Sequence, residues 1–166
     1  MRSNLLSCLL AALLCTALHA GPVVDVHDGT AWKPLEEAAW KELPRVEATA
    51  KGRDGTEHRY SGVPLIEIAK RFGAPSGEAL RGQEMNRAVL LSAADNYKVV
   101  FSLAELDPAF TRSRVILVDR VDDAALTAFE GPLMILAVDD LRHSRWIRQV
   151  KQIALIRTAL PEPRKP

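Results

Sequence analysis

Apolar positions along this chain come in short runs, and most runs are soon broken by turn residues. Val23–Val26 is a β-branched run closed by Asp28-Gly29, which predicts a strand and a turn. Leu35, Ala38, Ala39 and Leu43 recur at helical spacing after Pro34, and Pro44 ends the pattern, so a helix is expected there. Val46–Ala50 and Glu57–Ser61 flank Gly52-Arg53-Asp54-Gly55 and read as a hairpin. Pro64 stands at the start of a second helix and Gly73 just past its end, with Leu65, Ala69 and Phe72 as the expected buried stripe. Gly73–Arg87 is polar and glycine-containing, and reads as a long loop of the kind that often walls a site. Ala88–Ala93 and Tyr97–Ser102 predict two strands joined at Asp95-Asn96. Leu103–Leu106 predicts a short helical turn closed by Asp107-Pro108. Val115–Val118 and Leu133–Val138 are continuous apolar runs, as expected of buried strands, and Val150–Ile156 is the last strand. About seven short strands with two or three helices, mostly between antiparallel neighbours, define an α+β domain.

The beginning of the chain is different in kind. Arg2 is followed by an uncharged apolar run from Leu5 to Leu18, and small residues end at Ala20 before Gly21-Pro22. A basic start, a short apolar core and a small residue at the cut describe a secretory signal peptide. The run is shorter than the roughly 20 residues a membrane span takes. A buried N-terminal helix and a lipid-anchored cysteine are the alternatives. The expected organisation is a signal peptide over 1–20, a strand and helix over 21–45, a main domain over 46–158 and a disordered tail over 159–166. Cleavage would place the protein in the periplasm or outside the cell, with nothing left to hold it in a membrane. Both cysteines, Cys8 and Cys15, fall in the cleaved segment. The remainder has no thiol for a disulfide, a nucleophile or a metal.

Charge narrows the function classes. The chain carries 22 basic and 21 acidic residues, and losing Arg2 leaves the two in balance. No global field recruits nucleic acid or an anionic membrane, so neither is an expected partner.

The richest chemistry lies in Asp139–Lys151, where Arg142, Arg145 and Arg148 recur every third residue around His143, Ser144 and Trp146. Two guanidinium groups from such a turn can converge on one anion, because the planar fork donates two parallel hydrogen bonds. The competing reading is a solvated charged turn with Trp146 anchored in the core. On the first reading, Arg145 and Arg148 bind ligand and are dispensable for folding. His27 lies beside Asp25 and Asp28, but neighbours on a strand point to opposite faces, which argues against a metal site. His58 reads as a surface residue, and Glu36-Glu37 and Asp122-Asp123 as solvated pairs. No nucleophile elbow, phosphate loop or zinc spacing is present.

Five segments in order carry a family resemblance. They are Tyr60-Ser61-Gly62-Val63-Pro64-Leu65; Asp95-Asn96-Tyr97 with Phe101-Ser102-Leu103; Val115–Arg120; Gly131-Pro132-Leu133; and Ser144-Arg145-Trp146-Ile147 with Val150–Ile153. Together they resemble the molybdopterin-binding domain of sulfite oxidase-type oxidoreductases, over roughly Val46–Thr158. The resemblance implies a single mixed α+β domain around a cofactor cleft. In that family a molybdenum ion is held by a pterin dithiolene and a protein cysteine, and basic and polar residues bind the pterin phosphate.

On that basis Ser144, Arg145 and Trp146 are the expected cofactor-binding residues, with Arg142, His143 and Arg148 added from charge. Gly82–Arg87 and Asn96 are expected at the same cleft. The stretch corresponding to the family's cysteine loop is Val46–Tyr60, which contains no cysteine. A soft sulfur ligand sets the metal's geometry and potential, so its absence speaks against a complete catalyst. Two functions follow: an exported molybdopterin-binding domain that is not a complete enzyme, or a non-catalytic periplasmic module on the same fold. The second would bind a small anion or a protein partner, as the sensing part of a signalling system.

Overall fold

A computed structural model describes residues 23–159. The expected signal peptide, and the expected tail beyond Ala159, lie outside the described residues.

Strand β1 (Val24–His27) and strand β2 (Trp32–Leu35) form the first hairpin. Its turn is held by the Asp28 carboxylate, which accepts from the Thr30 and Ala31 N–H groups and the Thr30 hydroxyl. Helix α1 follows over Glu37–Glu42. The helix therefore starts later than the spacing predicts, and Leu35 belongs to β2. Pro34 is tolerated there because β2 is an edge strand with no ladder bond to donate outward. The side chain that α1 buries is Trp40, with Leu43 just beyond its end.

Strands β3 (Val46–Lys51) and β4 (Glu57–Pro64) form the predicted hairpin, in register from Val46 opposite Gly62 to Lys51 opposite Glu57. Helix α2 (Leu65–Arg71) starts directly after Pro64, and Gly73 behind it takes a left-handed φ of 86°. Leu65, Ile66, Ile68 and Ala69 are buried, while Phe72 is only partly so. Gly73–Arg87 is no single loop: it holds two 3-10 turns, at Gly77–Ala79 and Gly82–Asn86.

Strands β5 (Arg87–Ala93) and β6 (Lys98–Ser102) pair across the Asp95-Asn96 turn, where Asn96 has a φ of 66°. Helix α3 (Leu103–Leu106) opens on a capping box, with Ser102 and Glu105 each accepting from the other's backbone N–H. Strand β7 (Val115–Val121) turns through Asp122-Asp123 into the two-residue strand β8 (Ala124–Ala125). Both turn residues have positive φ, 47° and 64°, the geometry of the type I′ turns that suit strand twist. Strand β9 (Met134–Ala137) and strand β10 (Val150–Arg157) complete the chain.

The strands build two five-stranded sheets. One runs β2-β1-β10-β5-β6, and the other runs β3-β4-β7-β8 with β9 also paired to β7. All pairs are antiparallel except β1 with β10. The sheets are stitched where Ile135 N–H donates to Ile147 O and Val150 N–H to Leu133 O. One buried cluster draws on both sheets and all three helices, with Val63, Ile68, Phe101, Leu117 and Ile153 fully covered. Burying such side chains contributes roughly 1.5–3 kcal/mol each.

Candidate functional site

Loops from both sheets meet at one end of the molecule and enclose a pocket of about 410 Å³. The β5–β6 turn contributes Asp95 and Tyr97, and the β3–β4 turn contributes Arg53. Phe129 comes from the loop between β8 and β9, and Ser144, Trp146 and Arg148 from the segment before β10. That volume falls within the range of small-molecule sites.

The segment before β10 owes its shape to buried anchors. It contains a 3-10 turn, His143–Arg145. Trp146 behind it is only 5% exposed, and its indole Nε1–H donates to Ala137 O at 2.9 Å. His143 stacks on Trp146 at 4.0 Å between ring centres. Gln149 takes a left-handed φ of 48°; its N–H donates to Glu130 O, and its side chain donates to Ala128 O. Those bonds fix the Phe129 loop beside the pocket.

Two guanidinium groups line this space. Arg148 lies over the Phe129 ring, 3.7 Å from its centre. Arg53 donates from Nη2 to His143 O at 3.3 Å. Neither makes an ion pair among the described residues. The Tyr97 hydroxyl donates to Ser144 O at 2.9 Å and closes one wall. Asp95 is the carboxylate of the lining, and its Oδ1 already accepts from Tyr97 N–H. The lining thus sets two cations against one anion.

Of the residues singled out in the sequence, Ser144, Trp146 and Arg148 reach the pocket. Trp146 does so as part of its buried floor, as the core-anchor reading requires. Arg145 is placed elsewhere. Its Nε and Nη2 clasp Asp140 at 2.8 and 2.6 Å, and its Nη1 donates to Glu105 at 2.6 Å. Asp140 and then Glu105 hold its pKa above the ordinary arginine value, and its charge is spent inside the protein. Arg142 is exposed and does not line the pocket, and the His143 ring is occupied against Trp146.

Asn96 holds the left-handed position of the turn and does not line the pocket; its neighbours Asp95 and Tyr97 do. Gly82–Arg87 is not at the pocket. It sits at the far end of β5 from Ala93, roughly 20 Å away at about 3.3 Å per strand residue. There Arg157 binds Glu84 and Gln83 O.

Arg53, Tyr97 and Phe129 were not among the expected site residues. Arg53 lies in a hairpin turn far from the arginine-rich segment in sequence, and no local pattern marks it.

His58 also departs from its expected role as a plain surface residue. It stands between two carboxylates, with Nδ1 2.6 Å from Asp122 and Nε2 3.0 Å from Asp54. Asp122, and then Asp54, push its pKa above the ordinary histidine value. Asp122-Asp123 is accordingly no free solvated pair: Asp122 accepts from His58 and Arg59 N–H, and Asp123 pairs with Arg59.

No family model matches this chain, and no curated protein matches its sequence. Among solved structures it is similar to the sulfane dehydrogenase SoxCD from Paracoccus pantotrophus, with a TM-score of 0.58 and 14% identity. The likeness covers 80% of this chain and 37% of that one, so this chain spans little more than a third of its relative's length. At such identity the likeness shows the fold alone. The α+β architecture is the one expected from the sequence, distantly similar to part of an oxidoreductase.

A molybdenum centre of the kind the resemblance implies does not fit these residues. The described residues contain no cysteine. Among them, no cluster of three or more His, Cys, Asp or Glu side chains is placed to hold a metal ion. The β3–β4 hairpin, where the resemblance would put the thiolate, carries no cysteine.

Proposed function

We propose that this chain is a non-catalytic binding module, exported from the cytoplasm, that holds a small oxyanion or anionic organic ligand between Arg53 and Arg148. The observation that carries this reading is that both guanidinium groups line one pocket without an ion-pair partner among the described residues. A guanidinium offers paired N–H donors to a planar or tetrahedral oxyanion. Phe129 adds an aromatic face beside the charge. Export rests on the apolar Leu5–Leu18 run after Arg2.

The test is an NMR titration with sulfate, paired with molybdenum and pterin analysis of protein taken from its native host. Saturable shifts at the pocket, lost in Arg53→Ala and Arg148→Ala at unchanged melting temperature, are the expected result. A flat titration overturns the anion site.

A second reading, a molybdopterin-binding oxidoreductase component, is favoured by the likeness to part of SoxCD. Near-stoichiometric molybdenum with pterin would establish it. The missing thiolate sets it behind the first.

A further inference from the structure

Arg53 is the pocket cation carried on a hairpin turn, and its guanidinium makes one long hydrogen bond, to His143 O at 3.3 Å. It is exposed, and it rides on the Gly52–Gly55 turn between β3 and β4. Within that turn Gly55 N–H donates to Gly52 O, Gly52 N–H to Thr56 O, and Thr56 N–H to the Asp54 carboxylate. Among the described residues, Arg53 to Thr56 are exposed.

Beside the Arg53 bond to His143 O, the side chain that ties the turn to the body of the protein is His58. The ring reaches Asp54, next to Arg53, with one nitrogen and Asp122 of the β7–β8 turn with the other. Gly52 is packed against the same ring: a Cβ there would lie 3.0 Å from His58 Cδ2 and 2.8 Å from Asp54 Oδ1. Tyr60 stands edge-on to His58 at 6.2 Å and edge-on to Trp146 at 5.9 Å. The histidine, the tyrosine and the pocket floor thus form one packed line.

We propose that His58 is the positioning residue of the anion pocket, clamping the Asp54 turn to the Asp122 turn so that Arg53 stays over the site and ligand affinity follows the charge on His58. This rests on the anion-binding reading above. As an imidazolium, the ring donates to both carboxylates at once. As a neutral imidazole it has one N–H, so one of the two contacts becomes acceptor against acceptor. The clamp then opens on one side, and the turn carrying Arg53 gains freedom.

Among the described residues, three groups face the ring. Asp54 faces it from its own hairpin turn, Asp122 from the β7–β8 turn, and the Tyr60 ring from β4. On β3 its register partner is Ala50, which carries no charge. Arg59 lies on the opposite face of β4, paired with Asp123 and Glu47. Both carboxylates raise the histidine pKa, which places the transition above the ordinary value of about 6.5.

Sulfate is the probe, because it does not titrate in this range. Its dissociation constant is measured by NMR from about pH 6 to about pH 9. The wild-type protein is expected to bind on the order of tenfold more weakly at the high end, the effect of one pKa unit of coupling. His58→Gln is expected to bind weakly at both ends with no pH dependence. In the ligand-free protein, the exchange protection of the Gly52, Gly55 and Thr56 amides should fall over the same range.

Wild-type affinity that ignores pH, or a His58→Gln variant that keeps the full pH dependence, overturns the proposal. If sulfate fails to bind at every pH, the anion reading falls, and the amide protection alone decides the clamp. Protection that stays constant through the histidine's titration then overturns it.

Discussion

Arg145 lays its guanidinium flat along the carboxylate of Asp140, with Nε at 2.8 Å and Nη2 at 2.6 Å. Its remaining Nη1 reaches Glu105, the residue that completes the capping box of α3. One arginine therefore joins the 3-10 turn before β10 to the start of a helix. Arg145→Ala leaves two carboxylates without their cation. The side chain is 38% exposed, so solvent screening holds the cost to about 1–2 kcal/mol. Denaturant melts should show that loss. Sulfate affinity should fall less in this variant than in Arg148→Ala, because Arg145 does not line the pocket.

Trp146 separates packing from hydrogen bonding. Its ring is buried and its N–H bonds to Ala137 O. Trp146→Ala is expected to cost roughly 3–5 kcal/mol. Trp146→Phe keeps much of the packing and forfeits the hydrogen bond, so about 1–2 kcal/mol is expected from that loss and the smaller ring. Urea unfolding followed by circular dichroism measures both, and a near-neutral alanine variant would contradict the buried position.

Gly62 lies where β4 passes close against the backbone of β7. A Cβ there would meet Leu117 O at 2.1 Å and Val118 Cα at 2.7 Å. Those are backbone atoms, so no side chain can turn aside. Gly62→Ala should therefore force β4 off β7 and destabilise by about 3 kcal/mol, the upper part of the overpacking range. The thermal midpoint reads this directly.

Stability should peak at mildly acid to neutral pH. The Asp28 carboxyl is held well below the usual range by the Lys33 ammonium, then by Thr30 and Ala31. Asp54 is lowered by the Thr56 N–H and His58, and Asp122 by the Arg59 N–H and His58. Arg157, then Arg87, lower Glu84. A depressed folded pKa gives stability that is present above the unfolded value of about 4 and is lost as pH falls through the folded one. His58 runs the other way: its raised pKa gives stability that is full below about 6.5 and fades as pH rises through the folded value. Urea midpoints across pH should fall on both sides. Asp28→Asn should flatten the acid side and His58→Gln the alkaline side.

Most strands and all three helices were legible along the chain because their signals are local. Alternating or continuous apolar runs mark β3, β5, β7 and β10, the Gly52–Gly55 turn marks β4, and Pro64 and Gly73 bracket α2 by their own backbone preferences. The weak places were short elements. Strand β2 carries no apolar run of its own, and its last residue Leu35 stands at helical spacing from Leu43, whereas pairing with β1 decides its state. Strand β8 is two residues long and exists through its ladder with β7.

The arginine-rich segment shows the same division at the site. Its residue types announced a cluster of donors, and left Trp146 open between a core anchor and a ligand contact; the structure buries it. Which guanidinium stays available was not written there. Arg145 is neutralised by Asp140, a near neighbour, and by Glu105, forty residues away by number and adjacent only in the fold.

The sequence by itself determined the α+β pattern, the absence of a thiol beyond Cys15 and the balanced charge. Tertiary structure alone decided that Arg53 joins Arg148, that Arg145 withdraws, and that His58 bridges two turns. Local preference acts over a few residues, whereas electrostatic partners are chosen by distance in space, and that distance is set only when both sheets have closed on their common core.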